Sequence, residues 1–158
     1  MAHYRPSEFE DCAILAPKMR QKDAQEVWHS CGESPLGALE TSFNLSAVGE
    51  VNTIIADDGE VIGMFGVVSH PNGVGTPWLL ASDRLPEVAR EFVPQSKKWV
   101  ENMLEKHDVL YNYVFAENTI SIRWLKWLGF SFIKKEENFG ANPAPFYEFA
   151  KAKGVKDV

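Results

Sequence analysis

One stretch of the sequence, residues 110–130, constrains the fold most because its periodicity changes twice. Val109–Phe115 is an apolar and aromatic run that favours a β-strand. Apolar residues then recur at helical spacing through Ile120–Leu128. Gly129 is typical of the residue that follows the last turn of a helix, and Phe130 begins a new apolar run. The stretch therefore predicts a strand, a short turn, a helix and a second strand.

The polar turn that joins this strand to the helix contains Glu117 and Asn118. A helix start just beyond a strand end presents free backbone N–H groups and a partial positive charge, so ligands often bind there in α/β folds. Asn118 is thus a candidate for ligand contact. The alternative, which its residue type and position favour more, is that Asn118 or Thr119 only caps the helix.

The chain before this stretch reads as helices followed by strands. The N-terminal third is mostly helical in pattern. Val51–Ala56 and Val61–Ser69 are apolar runs separated by an Asp-Gly turn, which predicts an antiparallel hairpin. Thr76–Ala81 is a third predicted strand.

A helical crossover is predicted between the third strand and the Val109 strand. The prolines divide it into a short helix at Pro86–Phe92 and a longer one at Pro94–Lys106. A strand–helix–strand crossover implies that the two strands are parallel. A last strand at Pro145–Ala150 forms a hairpin with the strand that begins at Phe130. The fold class is α/β with a mixed, α+β-like sheet, in one domain over residues 1–150 with a loose tail at 151–158.

Composition and charge disfavour several classes of function. The chain has 158 residues, 45% hydrophobic and 24% charged, as in ordinary globular proteins. A net charge of −6 disfavours binding to nucleic acid or to an anionic membrane. Cys12 and Cys31 form neither a disulfide framework nor a metal-ligand cluster, and we expect two free thiols. The N-terminus lacks the apolar segment of a signal peptide, and no apolar run is long enough to span a bilayer.

From Asn118 to Phe130 the chain reads Asn-x-x-Ser-Ile-x-Trp-Leu-x-x-Leu-Gly-Phe. This resembles the C-terminal signature of the GCN5-related N-acetyltransferases (GNAT), Asn-x-x-Ala-x-x-Leu-Tyr-x-x-x-Gly-Phe. The predicted order of elements resembles that fold from near the start to about residue 150. The resemblance implies N-terminal helices, antiparallel strands and then a parallel strand pair splayed around a central helix.

The chain is also similar to small acetyltransferase-like proteins of tailed phages, a group that includes an internal virion protein of short-tailed phages. Three runs carry this resemblance: Pro77-Trp78-Leu79-Leu80 with Ser82-Asp83, Asn112-Tyr113-Val114, and Ile122-Arg123-Trp124-Leu125-Lys126 with Gly129-Phe130. It implies a phage-encoded protein in the host cytoplasm or in the virion. It leaves open whether the partner is an amine acceptor, a virion or host protein, or a second copy in a homodimer.

In the enzymes of this family, the pantetheine arm of acetyl-CoA lies in a splay between two parallel strands, here those ending near Ala81 and Phe115. Its pyrophosphate rests on backbone N–H groups at the start of the central helix. The resemblance therefore implies acetyl-CoA as cofactor. It assigns cofactor contacts to Leu80, Ala81, Ser82, Arg84, Asn118, Ser121 and Arg123.

The chain departs from the family pattern twice. The glycine-rich pyrophosphate loop is missing, and only Arg84 compensates by offering a positive charge to phosphate. The signature tyrosine that protonates the leaving thiolate falls on Leu125, which carries no proton to donate. Tyr111 and Tyr113 on the neighbouring strand are the candidate substitutes, provided that one of them points into the splay.

Other candidate residues have a structural alternative that the sequence favours more. Glu26 and His29 lie three apart on a predicted helix and would face an acceptor pocket together, or else a solvated surface. His70 is a candidate base beside the cleft, or a turn residue without a chemical role. Arg123 either contacts a cofactor phosphate or pairs with an acid. Four tryptophans, Trp78, Trp99, Trp124 and Trp127, are expected in core and rim packing rather than in a base-stacking platform.

Two functional hypotheses remain. The first is an acyl-CoA-dependent N-acetyltransferase, supported by the strand pair that forms the splay and by Asn118. The second is a non-catalytic acetyltransferase-like phage protein, supported by the missing glycine loop and by Leu125.

Overall fold

The computed structural model describes residues 3–46 and 50–154. One seven-stranded mixed sheet forms its centre, with strand order β1-β2-β3-β4-β5-β7-β6. The strands are β1 His3–Pro6, β2 Val51–Ile55, β3 Val61–Ser69, β4 Val74–Ala81, β5 Val109–Phe115, β6 Ser131–Phe139 and β7 Ala144–Ala152. The helices are α1 Glu10–Leu15, α2 Gln21–Cys31, α3 Pro35–Leu45, α4 Ala89–Lys106 and α5 Thr119–Trp127.

Helices cover both faces of the sheet. On one face, α1, α2 and α3 pack on alternate residues of the first strands, such as Val51 and Met64. On the other face, α4 packs on Ile54 and Phe65, and together with α5 it covers Val114. Alternation along each strand sends neighbouring apolar residues to opposite faces, so the near-continuous apolar runs of the central strands are explained.

The predicted β2–β3 hairpin is confirmed, with Asn52 opposite Phe65 and a turn that places Gly59 at positive φ. The predicted break at Pro94 is wrong. A short 3-10 turn at Leu85–Val88 leads into one continuous helix, α4, which contains Pro94. Pro94 lies early in α4, so only the bond from its missing N–H to the Arg90 carbonyl is lost.

The predicted crossover is confirmed, because α4 connects β4 to β5 and these strands are parallel. Their pairing is limited to two positions, Val74 with Val109 and Gly75 with Leu110. On its outer side, β5 pairs with β7 along its whole length. The two strands therefore begin side by side and then separate, which is the splay that was expected.

The hairpin of β6 and β7 ties the far edge of the sheet to the N-terminal helices. At its tip, the N–H groups of Ala141 and Asn142 donate to the carbonyls of Ser30 and His29 at the end of α2. Gly140 in this tip has φ +91°. The tip thus satisfies backbone acceptors that the end of a helix leaves open.

The C-terminal prediction needs one correction. β7 runs to Ala152, two residues beyond the expected end, and Lys151 is buried with its Nζ donating to the Leu128 carbonyl at 3.2 Å. The loose tail therefore does not begin at Lys151, and residues 155–158 lie outside the described part of the chain. Among residues 3–46 and 50–154, no helix combines the length and the hydropathy needed to cross a bilayer.

Candidate functional site

A cleft of about 430 Å³ opens where β4 and β5 separate. It passes through the plane of the sheet, with α2 and α3 lining one side and α4 and α5 lining the other. Its walls are mainly apolar and include Trp78, Trp99 and Trp124. Within the described residues, the lining includes Glu26 and Glu33 but no lysine or arginine. A concave, largely apolar cleft of this kind is where a protein usually binds a small ligand.

The backbone groups of β4 that face the cleft follow from those that face β3. The Ser82 N–H donates to the Ile62 carbonyl at 2.9 Å, so Ser82 faces β3. Because main-chain groups alternate sides along a strand, those of Pro77, Leu79 and Ala81 face the cleft. Of the three β4 residues that the GNAT resemblance assigns to the cofactor, Ala81 presents its main-chain groups to the cleft, whereas those of Leu80 and Ser82 face β3.

Asn112 bridges the two strands just beyond their last main-chain pair. Its Nδ2 donates to the Pro77 carbonyl at 2.8 Å, and its Oδ1 accepts from the Tyr113 N–H at 2.8 Å. A side-chain amide carries the same donor and acceptor as a peptide group. Asn112 therefore acts as an extra rung between β4 and β5.

The Asp23 side chain on α2 hydrogen-bonds to the main chain at the end of β4. Its Oδ2 accepts from the Ala81 N–H at 3.0 Å, and the Arg20 guanidinium pairs with the same carboxylate at 2.9 Å. Asn118 Nδ2 donates to its other oxygen at 3.1 Å. Asp23 is almost fully buried, and this desolvation raises its pKa, although the charge of Arg20 and the hydrogen bonds from Ala81, Arg20 and Asn118 oppose the shift.

Glu26, one turn further along α2, occupies the end of β5. Its Oε1 accepts from the Phe115 N–H at 2.8 Å and lies 3.5 Å from Asn118 Nδ2. Burial, and then the negative charge of Asp23, raise the pKa of Glu26 to about 8. Its second oxygen receives no hydrogen bond from the described residues, and Glu26 lines the cleft. Two acids of the same helix, α2, therefore bind the main chain at the ends of the two separated strands.

Asn118 lies at the start of α5, as predicted, but its side chain does not cap the helix. It bridges Asp23 and Glu26 instead, so the favoured N-cap interpretation is wrong. Ser121, one turn into α5, lines the cleft and accepts from Arg20 at 3.5 Å. The sequence thus placed Asn118 at the site but assigned it the wrong contact.

The start of α4 does not fit a pyrophosphate. Arg84, expected to pair with phosphate, instead contacts Asp58 at 2.9 Å, Glu60 at 3.3 Å and Glu87 at 3.0 Å. Ser82 Oγ accepts the Arg84 N–H at 3.2 Å, so that backbone donor is occupied too. A bound anion would meet three carboxylates around one arginine whose charge they already neutralise.

The two candidate tyrosines lie on the same face of β5, but they differ in access to the cleft. Tyr113 lines the cleft and stacks on Phe139 with ring centroids 4.1 Å apart. Tyr111 does not line it; its hydroxyl donates to Glu148 and lies 2.9 Å from Tyr113 Oη, from which it accepts. Leu125, which stands at the position of the signature tyrosine, lies in the cleft wall.

The remaining predicted residues fall into three groups. Leu80 lines the cleft, and His70 lies at its rim with Nε2 2.8 Å from Thr76 Oγ1. His29 is bonded to the Asn142 carbonyl at 2.7 Å and does not line the cleft with Glu26. Arg123 is exposed on α5, also outside the cleft.

The tryptophans follow the packing expectation with one exception. Trp99 is buried and stacks on Phe65, and Trp124 donates to Ser96 at 3.2 Å. Trp78 packs beside the core under α3. Trp127, by contrast, is exposed, with Lys97 lying over its ring.

Sequence reasoning missed three residues of the site: Arg20, Asp23 and Asn112. Asp23 precedes Glu26 by three residues, and that spacing alone places both acids on one helix face. Asn112 is the one strongly polar residue in an apolar strand pattern, which signals a buried amide with partners. No cluster of potential metal ligands occurs in the described part of the chain.

Comparison of sequences connects the chain with a phage protein. A family model described as bacteriophage T7, probable scaffold protein Gp13, matches residues 63–137, which run from β3 to β6 and include most of the cleft. Probable scaffold protein gp13 of Escherichia phage T7 is 38% identical over 56 residues. That match covers 33% of this chain and 41% of the phage protein, so the chain spans less than half of this curated relative.

Comparison of structures connects the whole chain with acetyltransferases. A GCN5-related N-acetyltransferase from Kribbella flavida has a TM-score of 0.69 at 18% identity, covering 96% of this chain and 97% of that one. Spermidine N-acetyltransferase from Vibrio cholerae, in complex with CoA and spermine, has a TM-score of 0.68 at 13% identity, covering 96% and 95%. Ribosomal-protein-S18-alanine N-acetyltransferase from Escherichia coli has a TM-score of 0.67 at 11% identity, covering 99% and 96%. The chain therefore has the fold of the GCN5-related N-acetyltransferases.

Proposed function

We propose that this chain is a GNAT-fold protein of a tailed phage that acts in particle assembly and does not transfer acetyl groups from acetyl-CoA. The observation that carries the proposal is the occupation of the strand splay by the chain's own side chains. Asp23, Glu26 and Asn112 take the main-chain groups of β4 and β5 that a pantetheine arm would need.

A ligand that competed for these groups would first have to break buried hydrogen bonds. Each displaced carboxylate or amide would need a new partner, and leaving a buried polar group without one costs about 1–3 kcal/mol. The Ala81 carbonyl accepts from the Arg20 backbone N–H at 2.8 Å, so among the β4 main-chain groups beyond Gly75 that face the cleft, only those of Leu79 lack a partner within the described residues. The cleft therefore retains the shape of a cofactor site but few of its contacts.

Charge around the start of α4 supports the same proposal. Asp58, Glu60 and Glu87 neutralise Arg84, and no lysine or arginine of the described chain lines the cleft. A nucleotide carrying several phosphates would meet net negative charge there. The similarity to a T7 protein described as a scaffold protein supports the assembly role.

Two measurements test the proposal. Calorimetric titration with acetyl-CoA, together with thiol release from acetyl-CoA in the presence of a panel of amines, is expected to show neither binding nor turnover. The Vibrio cholerae spermidine N-acetyltransferase serves as the positive control. Saturable binding with turnover that Glu26→Gln abolishes would overturn the non-catalytic assignment.

The assembly role is tested in the phage that encodes the chain. Mass spectrometry of assembling particles is expected to find the protein in a fixed ratio to the coat protein. Deletion of the gene is expected to reduce the yield of intact particles, while Glu26→Gln is expected to leave it unchanged. Normal yield after deletion, with no protein in any particle form, would contradict the role.

Acyl transfer is the second candidate, and Glu26 is the observation that favours it. Glu26 lines an apolar cleft, and with a pKa of about 8 its ionised fraction, which can take a proton from an amine, grows from neutral to mildly alkaline pH. The same titration separates the two candidates, because acyl transfer requires saturable thioester binding.

A further inference from the structure

We propose that the outer face of α5 docks a partner protein through an acidic segment that carries apolar side chains. The surface, called the α5 stripe here, consists of Ile120, Arg123 and Trp127. The proposal deepens the assembly function by naming a surface and the chemistry of its partner. Its test is independent of whether acetyl-CoA binds.

Helical spacing places the three residues in one line. Residues at i, i+3 and i+7 lie on the same face of an α-helix. The other apolar residues of α5 turn inward: Leu125 is buried, and Trp124 packs in the core. The stripe is therefore a second apolar face on a helix whose core-facing side is already complete.

Exposure of the stripe is large for apolar side chains. Ile120 is 65% exposed and Trp127 is 45% exposed. Single exposed apolar residues are common on protein surfaces, but two on one helix face beside an arginine are typical of interaction sites. Tryptophan and arginine are also the residue types that most often dominate the energy of an interface.

The charge beside the stripe is positive, although the whole chain carries −6. Arg123 is exposed and makes no ion pair with any residue in the described ranges. Lys126 lies over the Phe132 ring at 5.4 Å, and Lys97 Nζ lies 4.3 Å from the centroid of Trp127. The cationic side chains of Arg123 and Lys126 beside an apolar strip complement an acidic segment with apolar residues.

Lys97 also restricts the orientation of the Trp127 indole. A cation over one face of the ring limits the orientations of Trp127, which is still 45% exposed. An anchor that is already ordered loses less entropy on binding. Nucleic acid is the less favoured partner, because the stripe is partly apolar and the chain is acidic overall.

The test uses short fluorescein-labelled peptides and fluorescence anisotropy. One peptide alternates acidic residues with Leu and Phe, a second replaces Leu and Phe by Ser, and a third replaces the acids by Lys. A DNA duplex is the fourth probe. The acidic apolar peptide is expected to bind about tenfold more tightly than the other three, with an affinity that falls as salt rises.

A triple variant with a matched control assigns the binding to the stripe. Ile120→Ser, Arg123→Glu and Trp127→Ala together are expected to weaken binding at least about tenfold. The control makes the same chemical changes elsewhere, as Ile14→Ser, Arg90→Glu and Trp28→Ala, at residues that are also exposed. The control is expected to bind like the wild type, and circular dichroism checks that both variants fold.

Three results would overturn the proposal. These are equal loss of binding in both triple variants, equal binding of the acidic apolar and the acidic serine peptides, and tighter binding of the DNA duplex. Concentration-dependent self-association that the stripe variant abolishes, without any peptide binding, would replace the acidic partner by a second copy of the chain.

Discussion

At the residue scale, the centre of the site is one carboxyl group held in two environments. Glu26 Oε1 accepts from the backbone of β5, whereas its other oxygen faces the apolar cleft near the charge of Asp23. Burial and that charge raise its pKa to about 8. At neutral pH the group is therefore mostly protonated, which limits the repulsion between two neighbouring buried carboxyl groups.

The raised pKa of Glu26 makes stability depend on pH. The folded protein holds a proton on Glu26 up to about pH 8, whereas the unfolded chain releases it near pH 4.5. Between these values the native state binds more protons, so the free energy of unfolding falls as pH rises, by at most about 1.4 kcal/mol per pH unit. In urea unfolding from pH 5 to 8, Glu26→Gln is expected to flatten this slope.

The matched control for this measurement is Glu101→Gln, which removes an exposed carboxylate on α4. It is expected to keep the wild-type slope. The interpretation fails if wild type and Glu26→Gln lose stability in parallel over the same pH range.

At the element scale, the seam between β4 and β5 has few main-chain pairs and is extended by one side chain. Two main-chain positions pair, and Asn112 then supplies one further rung. Pro77 suits this place, because its carbonyl faces Asn112 and its missing N–H leaves no donor unpaired in the cleft.

Removal of the rung is expected to loosen the seam locally. Asn112→Ala leaves the Tyr113 N–H and the Pro77 carbonyl without their partner, which costs about 1–3 kcal/mol. Hydrogen exchange is expected to accelerate at the Tyr113 amide by at least about tenfold, with little change at amides bonded to β7. Asn52→Ala on β2 is the control, and uniform acceleration across β5 would contradict a local role.

The elements around this seam also show which parts of the fold could be predicted from the sequence. Periodicity and the Asp-Gly turn predicted the hairpin and the crossover, because each depends on local pattern and on the general handedness of connections. The splay was expected only from the resemblance to the GNAT family. Pro94 misled the prediction of α4, since a proline near a helix start removes only one bond. The contacts of Arg84 and Asn118 join residues distant in sequence, so residue type alone assigned them incorrectly.

At the scale of the whole molecule, the end of helix α2 meets the tip of the β6–β7 hairpin, about 110 residues further along the sequence. Gly140 allows this contact, since its φ of +91° suits glycine and an added Cβ would press on the His29 carbonyl oxygen. The sequence gives the glycine but not its distant neighbour. This is why the N-terminal helices and the sheet could be predicted separately and their junction could not.

Gly140→Ala is therefore expected to destabilise the protein more than an equivalent change in open space. Gly59 has a similar φ, +87°, but nothing lies within 4 Å of its added Cβ. Both alanines meet the strain of a left-handed backbone, and only Gly140→Ala adds a clash, so it is expected to cost about 1–3 kcal/mol more. Thermal and urea unfolding measure the difference, and equal losses would show that α2 yields at this point.

The side-chain rungs of the splay have a consequence for evolution. Replacing Asp23, Glu26 or Asn112 singly would leave a backbone N–H without its partner, and the N–H groups of Ala81 and Phe115 belong to fully buried residues. Each such change is therefore expected to lower the stability of the fold. We expect substitutions to be tolerated more readily on the outer surfaces than at these three positions.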